Sequence, residues 1–310
     1  MRDFRVHITG TSGAVAAFGR FPSGHLVKSG SDYILIDCGE GIQFRLEQYK
    51  WKKSGITKIL ITHLHGDHYF GLPGLLTTMM MQGRVQGLDI YSPPGLEACI
   101  RPLILRNGEE PKFALRFHEL DTTREMQLHL EENFEIRSFP LRHAIPCCGF
   151  LLRERNIHPS IRKDLIAGFE LTHDEIKLLK SGTPVIRKDG VLLKPEDFIR
   201  KPAVARSYAY CSDTVYHEEL VPFIEGVTVL YHESTFTEVL AAQALKTHHS
   251  TAMQAADIAR KAGAGTLWLG HFSARYKEIE VFSFLNFSKV TINSFFISLI
   301  AFSTVGLGVI

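Results

Sequence analysis

The feature that most constrains this 310-residue chain is a short one: the apolar run Lys58-Ile-Leu-Ile-Thr62 leads straight into His63-Leu-His65-Gly-Asp67-His68. Three imidazoles and a carboxylate fall within six residues, and Gly66 permits the sharp turn that the run needs at its end. His63 and His65, two positions apart, can converge on one ion as the strand finishes. Asp67 and His68, displaced around the turn, point at a second position a few ångströms away. The spacing therefore predicts two metal sites. Neutral imidazole and carboxylate without thiolate suit Zn²⁺, with manganese and iron left open.

Two ions need more ligands, and other apolar runs end in suitable residues. His143 follows Phe139-Pro-Leu-Arg142, Asp213 follows Ser207-Tyr-Ala-Tyr-Cys211-Ser, and His271 follows Thr266-Leu-Trp-Leu-Gly270. A cleft at a sheet edge would gather side chains placed in this way.

Further β-branched or aromatic runs at Phe4 to Thr9, Tyr33 to Asp37, Leu88 to Tyr91, Phe134 to Phe139 and Val227 to Tyr231 read as buried strands. Helical spacing marks Gly41 to Lys50, Leu72 to Gln82, Val215 to Ile224 and Thr251 to Ala262, the last with a Ser250/Thr251 cap and a Gly263 stop. The fold class is mixed α/β. Residues 153–206 differ in texture: 12 Lys+Arg against 8 Asp+Glu, with signals broken by Gly182, Pro184, Gly190, Pro195 and Pro202. They read as an inserted, partly exposed arm, either a solvated excursion or a binding element.

Composition excludes several classes. With 25 Gly, 13 Pro and no repeat or charge block, the chain is neither collagen, coiled coil nor disordered. A formal net charge of +2 argues against a dedicated double-helix binder, so DNA is not an expected partner. Cysteines 38, 99, 147, 148 and 211 show no C-x-x-C spacing and read as reduced core thiols of a cytoplasmic protein. Arg2, Asp3 and Arg5 occupy the place where a signal peptide needs an apolar run. Gly10 and Gly13 mark a turn, not a nucleotide loop, because no Gly-Lys-Ser/Thr follows. Phe18 and Phe21 read as core or dimer packing.

Taken together, H-x-H-x-D-H, a later His, Ser212-Asp213-Thr214 and Gly270-His271-Phe-Ser-Ala-Arg-Tyr276 resemble the metallo-β-lactamase superfamily. Within it, Gly10-Thr-Ser, Pro22-Ser23, Ile36-Asp37-Cys-Gly39-Glu40-Gly41, His232-Glu233-Ser-Thr235 and His249-Ser250-Thr251-Ala252 make the chain similar to the short bacterial RNase Z family, endoribonucleases that trim the 3′ trailer from precursor tRNA. The resemblance covers about residues 4 to 276. It implies an αββα sandwich over 1–276, interrupted at 153–206 by an exosite arm that grips tRNA, and a homodimer in which each arm serves the partner's site. It also implies that His63, His65 and His143 hold one Zn²⁺, that Asp67, His68 and His271 hold the other, and that Asp213 bridges them.

On that footing, two ions would lower the pKa of a shared water from 15.7 towards ~7, and the resulting hydroxide would attack phosphorus and leave a 3′-hydroxyl. Asp67 is the candidate to take or orient the nucleophile's proton. His249 is the candidate general acid for the leaving 3′-oxygen, with Glu233 as its orienting partner or, equally, as a structural carboxylate. Arg275 is either a phosphate contact or a surface ion pair. A metallohydrolase of small phosphodiesters or thioesters, or a defunct RNA-binding product, are the alternative functions.

The chain departs from the family pattern in three places. The arm contains no Gly-Pro pair, Ile42 stands where threonine is common, and 277–310 is atypical, since from Val281 onward Lys289 is the single charge. Three readings of this tail compete. The 21 residues from Val290 to Ile310 are long enough for a membrane anchor, yet six are Thr, Asn or Ser, which argues against a membrane partner. The others are a buried helix or strand pair, and an altered end such as a reading-frame shift, which is the reading adopted.

Overall fold

In the computed structural model, residues 3–105, 110–155, 159–200, 205–277, 296–299 and 307–309 are described. The chain divides into two compact units, one formed by Met1–His129, Ile136–Leu152 and Ser207–Ile310, the other by Leu130–Glu135 with Arg153–Arg206.

The first unit is built on two seven-stranded sheets. One runs in the order Leu307–Val309, Phe4–Gly10, Gly24–Ser29, Asp32–Ile36, Ile56–Leu60, Leu88–Ser92, Leu115–Glu119. The other runs Phe296–Leu299, Thr266–Gly270, Val229–Glu233, Ser207–Cys211, Cys147–Glu154, Phe134–Leu141, Met126–Glu131. The strands from Asp32 to Glu119 in the first sheet pair in parallel, as do those from Ser207 to Leu299 in the second. Parallel strands are covered on both faces, which is why Ser207–Cys211 and Val229–Glu233 are buried at every position.

Helices cover the outer faces because their apolar residues recur every three or four positions. Leu72–Met81 buries Leu72, Leu75, Leu76 and Met79, which join Leu46, Ile59 and Ile90 in one core. Ala252–Lys261 buries Ala252, Ala255, Ala256, Ile258 and Ala259 against Leu230 and Leu267. Each fully buried aliphatic side chain contributes roughly 1.5–3 kcal/mol. Thr251 and Gln254 close a reciprocal capping box at the start of the second helix, and Gly263 ends it at φ 61°.

Between the sheets lies an aromatic layer. Tyr210 and Tyr231 stack with ring centroids 4.8 Å apart, and His25 of the facing sheet sets its edge against both, at 4.7 and 4.3 Å. Burial pushes the His25 imidazole well below its ordinary range, so it is neutral, and its Nδ1 meets the Tyr208 hydroxyl at 2.6 Å. The order of layers is therefore helix, sheet, sheet, helix.

Gly71 positions the motif helix. Its N–H donates to the Cys38 carbonyl at 2.9 Å, and a Cβ there would collide with the Gly39 carbonyl oxygen. We expect Gly71→Ala to cost about 1–3 kcal/mol by overpacking, read as a lowered thermal midpoint.

The second unit has its own small core of Ile161, Leu171, Leu179, Leu193 and Phe198. Its helix His173–Lys180 starts with a capping box between Thr172 and Glu175, and Glu175 also takes two bonds from Arg187, at 2.7 and 3.0 Å. The Arg206 guanidinium grips the buried Glu154 carboxylate at 2.6 and 2.8 Å.

Several expectations are corrected. The helix expected from Val215 to Ile224 is a 3₁₀ segment, Glu218–Phe223, because Pro222 lies inside it and lacks the N–H that an α-helix needs. Cys99 is exposed, unlike the other four cysteines. Phe18 is 53% exposed at φ 51°, so it is not a core residue. Of the apolar tail, residues 278–295, 300–306 and 310 lie outside the described residues, and with them the anchor and altered-end readings. The described pieces are strands, Phe296–Leu299 parallel to Thr266–Gly270 and Leu307–Val309 antiparallel to Phe4–Gly10. Among the described residues no helix is long and apolar enough to cross a membrane.

Candidate metal centre

The strand Ile56–Leu60 carries the chain to Thr62, after which Gly66–Tyr69 forms a single helical turn. This reversal swings Asp67 and His68 back beside His63. The buried Asp37, just past the strand Asp32–Ile36, fixes the arrangement. It accepts from the Thr62 N–H at 2.9 Å, the Thr62 hydroxyl at 3.0 Å, the Tyr210 hydroxyl at 3.0 Å and His68 Nδ1 at 2.8 Å. Asp37 sits at φ 54° and His271 at φ 56°, left-handed conformations uncommon outside glycine and concentrated at functional sites.

With Nδ1 of His68 committed to Asp37, its Nε2 points into the site with no hydrogen-bond partner, although it is fully buried, and His271 Nε2 is left in the same way. His271 Nδ1 is occupied by the Thr235 hydroxyl at 2.9 Å. Two buried imidazole nitrogens with fixed tautomers and no hydrogen bond, turned towards carboxylate oxygens, fit ligands of a divalent cation.

Asp213 divides the donors into two sets. Its Oδ2 lies 3.5 Å from His63 Nε2 and 3.7 Å from His143 Nε2, while His65 Nδ1 stands 3.0 and 3.2 Å from those two nitrogens. Its Oδ1 lies 3.1 Å from His271 Nε2 and 3.6 Å from His68 Nε2, with Asp67 Oδ2 at 3.5 and 3.4 Å from the same nitrogens. Ligands held ~2.0–2.1 Å from a tetrahedral ion stand roughly 3.3 Å from one another, so both sets have the spacing of a coordination shell. The structure thus brings all seven expected ligands together, in the grouping that the resemblance implied.

Electrostatics agree with this reading. Burial lowers the pKa values of His63, His65 and His143, keeping them as neutral ligands. At His68, burial opposes charge, but Asp37, Asp213 and Asp67 overcome it and hold the imidazole well above its ordinary range. A dication at Nε2 would answer the same field in place of the proton.

Beside the two sets, His249 Nδ1 meets Glu233 Oε1 at 2.9 Å. Glu233 is fully buried and pinned by the Thr214 N–H at 2.8 Å, the Thr235 N–H at 3.1 Å and the Thr235 hydroxyl at 2.5 Å. Burial works against a charged His249, yet Glu233 raises it to about 9.

Sequence reasoning passed over Asp37 and Tyr210 as site residues. Asp37 carried the same signal as Asp213, a carboxylate just past an apolar strand. Tyr210, inside a strand, carried none. We expect Tyr210→Phe to leave Asp37 one donor short and to weaken metal retention by about tenfold in chelator competition, with the fold intact.

Residues 4–170 match the family model described as "Anti-Pycsar protein Apyc1", to which this part of the chain belongs. Relatives named ribonuclease Z extend much further. That of Bacteroides thetaiotaomicron is 38% identical, covering 91% of this chain and 89% of its own length, and that of Cytophaga hutchinsonii is 41% identical, covering 90% of each. Among solved structures, the short form of human tRNase Z aligns with TM-score 0.66 at 29% identity, over 88% of this chain and 94% of its own. The metallo-β-lactamase fold protein YhfI of Bacillus subtilis, 19% identical, shares the fold over 98% of this chain with TM-score 0.67. The fold is thus that of the metallo-β-lactamases, and by its identity to these relatives over nine tenths of its length the chain belongs to the ribonuclease Z family.

Proposed function

We propose that the protein is a zinc-dependent endoribonuclease that removes the 3′ trailer from precursor tRNA and leaves a 3′-hydroxyl, working as a cytoplasmic homodimer. The observation that carries this reading, beside the family, is the divided carboxylate of Asp213, one oxygen facing each of two donor sets. His63, His65 and His143 would hold one Zn²⁺ and Asp67, His68 and His271 the other, with Asp213 shared. Bound ions supply a water acidic enough to ionise near neutral pH and positive charge for the phosphate oxygens.

The rest falls to the chain. Asp67 Oδ2 accepts from the Ala14 N–H at 2.9 Å and faces the second donor set, leaving Oδ1 to take the proton of the attacking water. His249, cationic and tied through Nδ1 to Glu233, keeps Nε2–H for the 3′-oxygen as its bond to phosphorus breaks. Glu233 acts as the positioning residue that fixes this tautomer.

The test is incubation of the metal-loaded protein with a precursor tRNA. A released trailer and a 3′-hydroxyl end on the tRNA support the reading, and intact precursor in the presence of two bound ions per chain rejects it. The arm at 153–206 is proposed to hold tRNA for the partner's site. Its deletion should then abolish precursor cleavage while hydrolysis of a small phosphodiester persists; equal activity on precursor without the arm removes that role.

A further inference from the structure

Among the described residues five carboxylates are buried: Asp37, Asp213 and Glu233 at the metal centre, and Glu135 and Glu154 in the second unit, which the proposed chemistry does not use. A charge taken out of water is costly and needs a partner. Both find arginines. Arg155 Nε lies 3.7 Å from Glu135 Oε2, and the Arg155 N–H donates to the Asn133 carbonyl at 2.9 Å. Glu154 is held more closely. Its Oε1 accepts from Arg206 Nη2 at 2.6 Å, and its Oε2 from Arg206 Nε at 2.8 Å and from the Arg206 main-chain N–H at 3.1 Å. In return the Glu154 N–H donates to the Arg206 carbonyl at 2.9 Å. Four hydrogen bonds thus join two residues 52 positions apart.

Glu154 is the last residue of the strand Cys147–Glu154, and Arg206 immediately precedes Ser207–Cys211, the neighbouring strand in the sheet. Between them run residues 155–205, the body of the arm. Apolar side chains at these two positions could pack in more than one alignment. The arginine fork accepts a carboxylate in one, because it fixes direction as well as distance. A slip of one residue at either crossing would turn the side chains that follow to the opposite face.

We propose that the Glu154–Arg206 clasp sets the register of the two chain crossings at the root of the arm, and that this register is what lets the arm hold precursor tRNA. The assignment rests on the reading of 153–206 as the tRNA-holding element. Both are positioning residues and act through the segment that they close.

The experiment measures precursor cleavage and hydrolysis of a small phosphodiester by the metal-loaded wild type, Glu154→Leu/Arg206→Met and Arg206→Lys. The double variant removes both charges with little change of volume, so its thermal midpoint should stay near wild type. Its KM for precursor tRNA should nevertheless rise about tenfold, with kcat at saturation and the small-phosphodiester rate unchanged. Arg206→Lys keeps the charge but cannot fork, and should show the same rise. Amide hydrogen exchange should quicken in both variants at the peptides that carry positions 154 and 206, and match the wild type over Ala252–Lys261. A wild-type KM in both variants makes the pair a structural contact and overturns the proposal. So does a small-phosphodiester rate that falls in step with precursor cleavage. Where the double variant unfolds, Arg206→Lys decides by the same KM. If deletion of 153–206 leaves precursor cleavage intact, the arm's role fails and the clasp falls with it. If deletion abolishes cleavage while both clasp variants keep the wild-type KM, the clasp alone fails.

Discussion

Asp213→Asn is expected to be folded, poor in metal and almost inactive. The amide is isosteric with the carboxylate, so the packing around a residue that is 2% exposed survives. What goes is the negative charge between two donor sets: Oδ1 near His271 and His68, Oδ2 near His63 and His143. An amide can present an oxygen to one side only and turns its NH₂ towards the other. Loss of several kcal/mol of metal-borne stabilisation, at 1.36 kcal/mol per tenfold, amounts to about 10³-fold or more in rate. Elemental analysis should find less than the two ions per chain proposed for the wild type. Full metal content with unchanged turnover would remove Asp213 from the centre.

His249→Ala should separate chemistry from binding. The imidazole is not among the seven proposed ligands, and its ring is held by Glu233 at 2.9 Å. Without it the 3′-oxygen must leave unprotonated, a loss of about 10²–10⁴-fold in kcat for a general acid. Metal content and affinity for precursor tRNA should stay near wild type. A variant that binds RNA a hundredfold more weakly but turns over normally once saturated would make His249 a binding residue instead. Glu233 is left with a buried charge in this variant, so a lowered thermal midpoint is expected too and does not bear on the role.

What the sequence disclosed and what it hid follow physical lines. Strands buried on both faces announced themselves: Ser207–Cys211 has the bounds that its residues suggest. Among the strands passed over were Gly24–Ser29, Leu115–Glu119, Met126–Glu131 and Cys147–Glu154. Leu-Arg-Phe-His-Glu and Met-Gln-Leu-His-Leu-Glu alternate with period two, but half their residues are polar, which is what strands towards a sheet edge require. Gly24–Ser29 has a two-residue apolar centre between His25 and Lys28, and His25 is buried only because three tyrosines of the facing sheet surround it. That environment is tertiary and leaves no local trace. The proposed metal ligands were legible because each is a polar residue at the end of an apolar run. Tyr210 was not, since a tyrosine in a strand has ordinary reasons to be there.

The proposed ligands are split between the two sheets, with positions 63, 65, 67 and 68 on the first and 143, 213 and 271 on the second. During synthesis the early half leaves the ribosome carrying imidazoles that have no carboxylate bridge; the first proposed set is complete only once Asp213 has emerged, and the second only with His271. Loading of both proposed ions is thereby expected late in synthesis, and an unfinished chain lacks the complete pair of ligand sets.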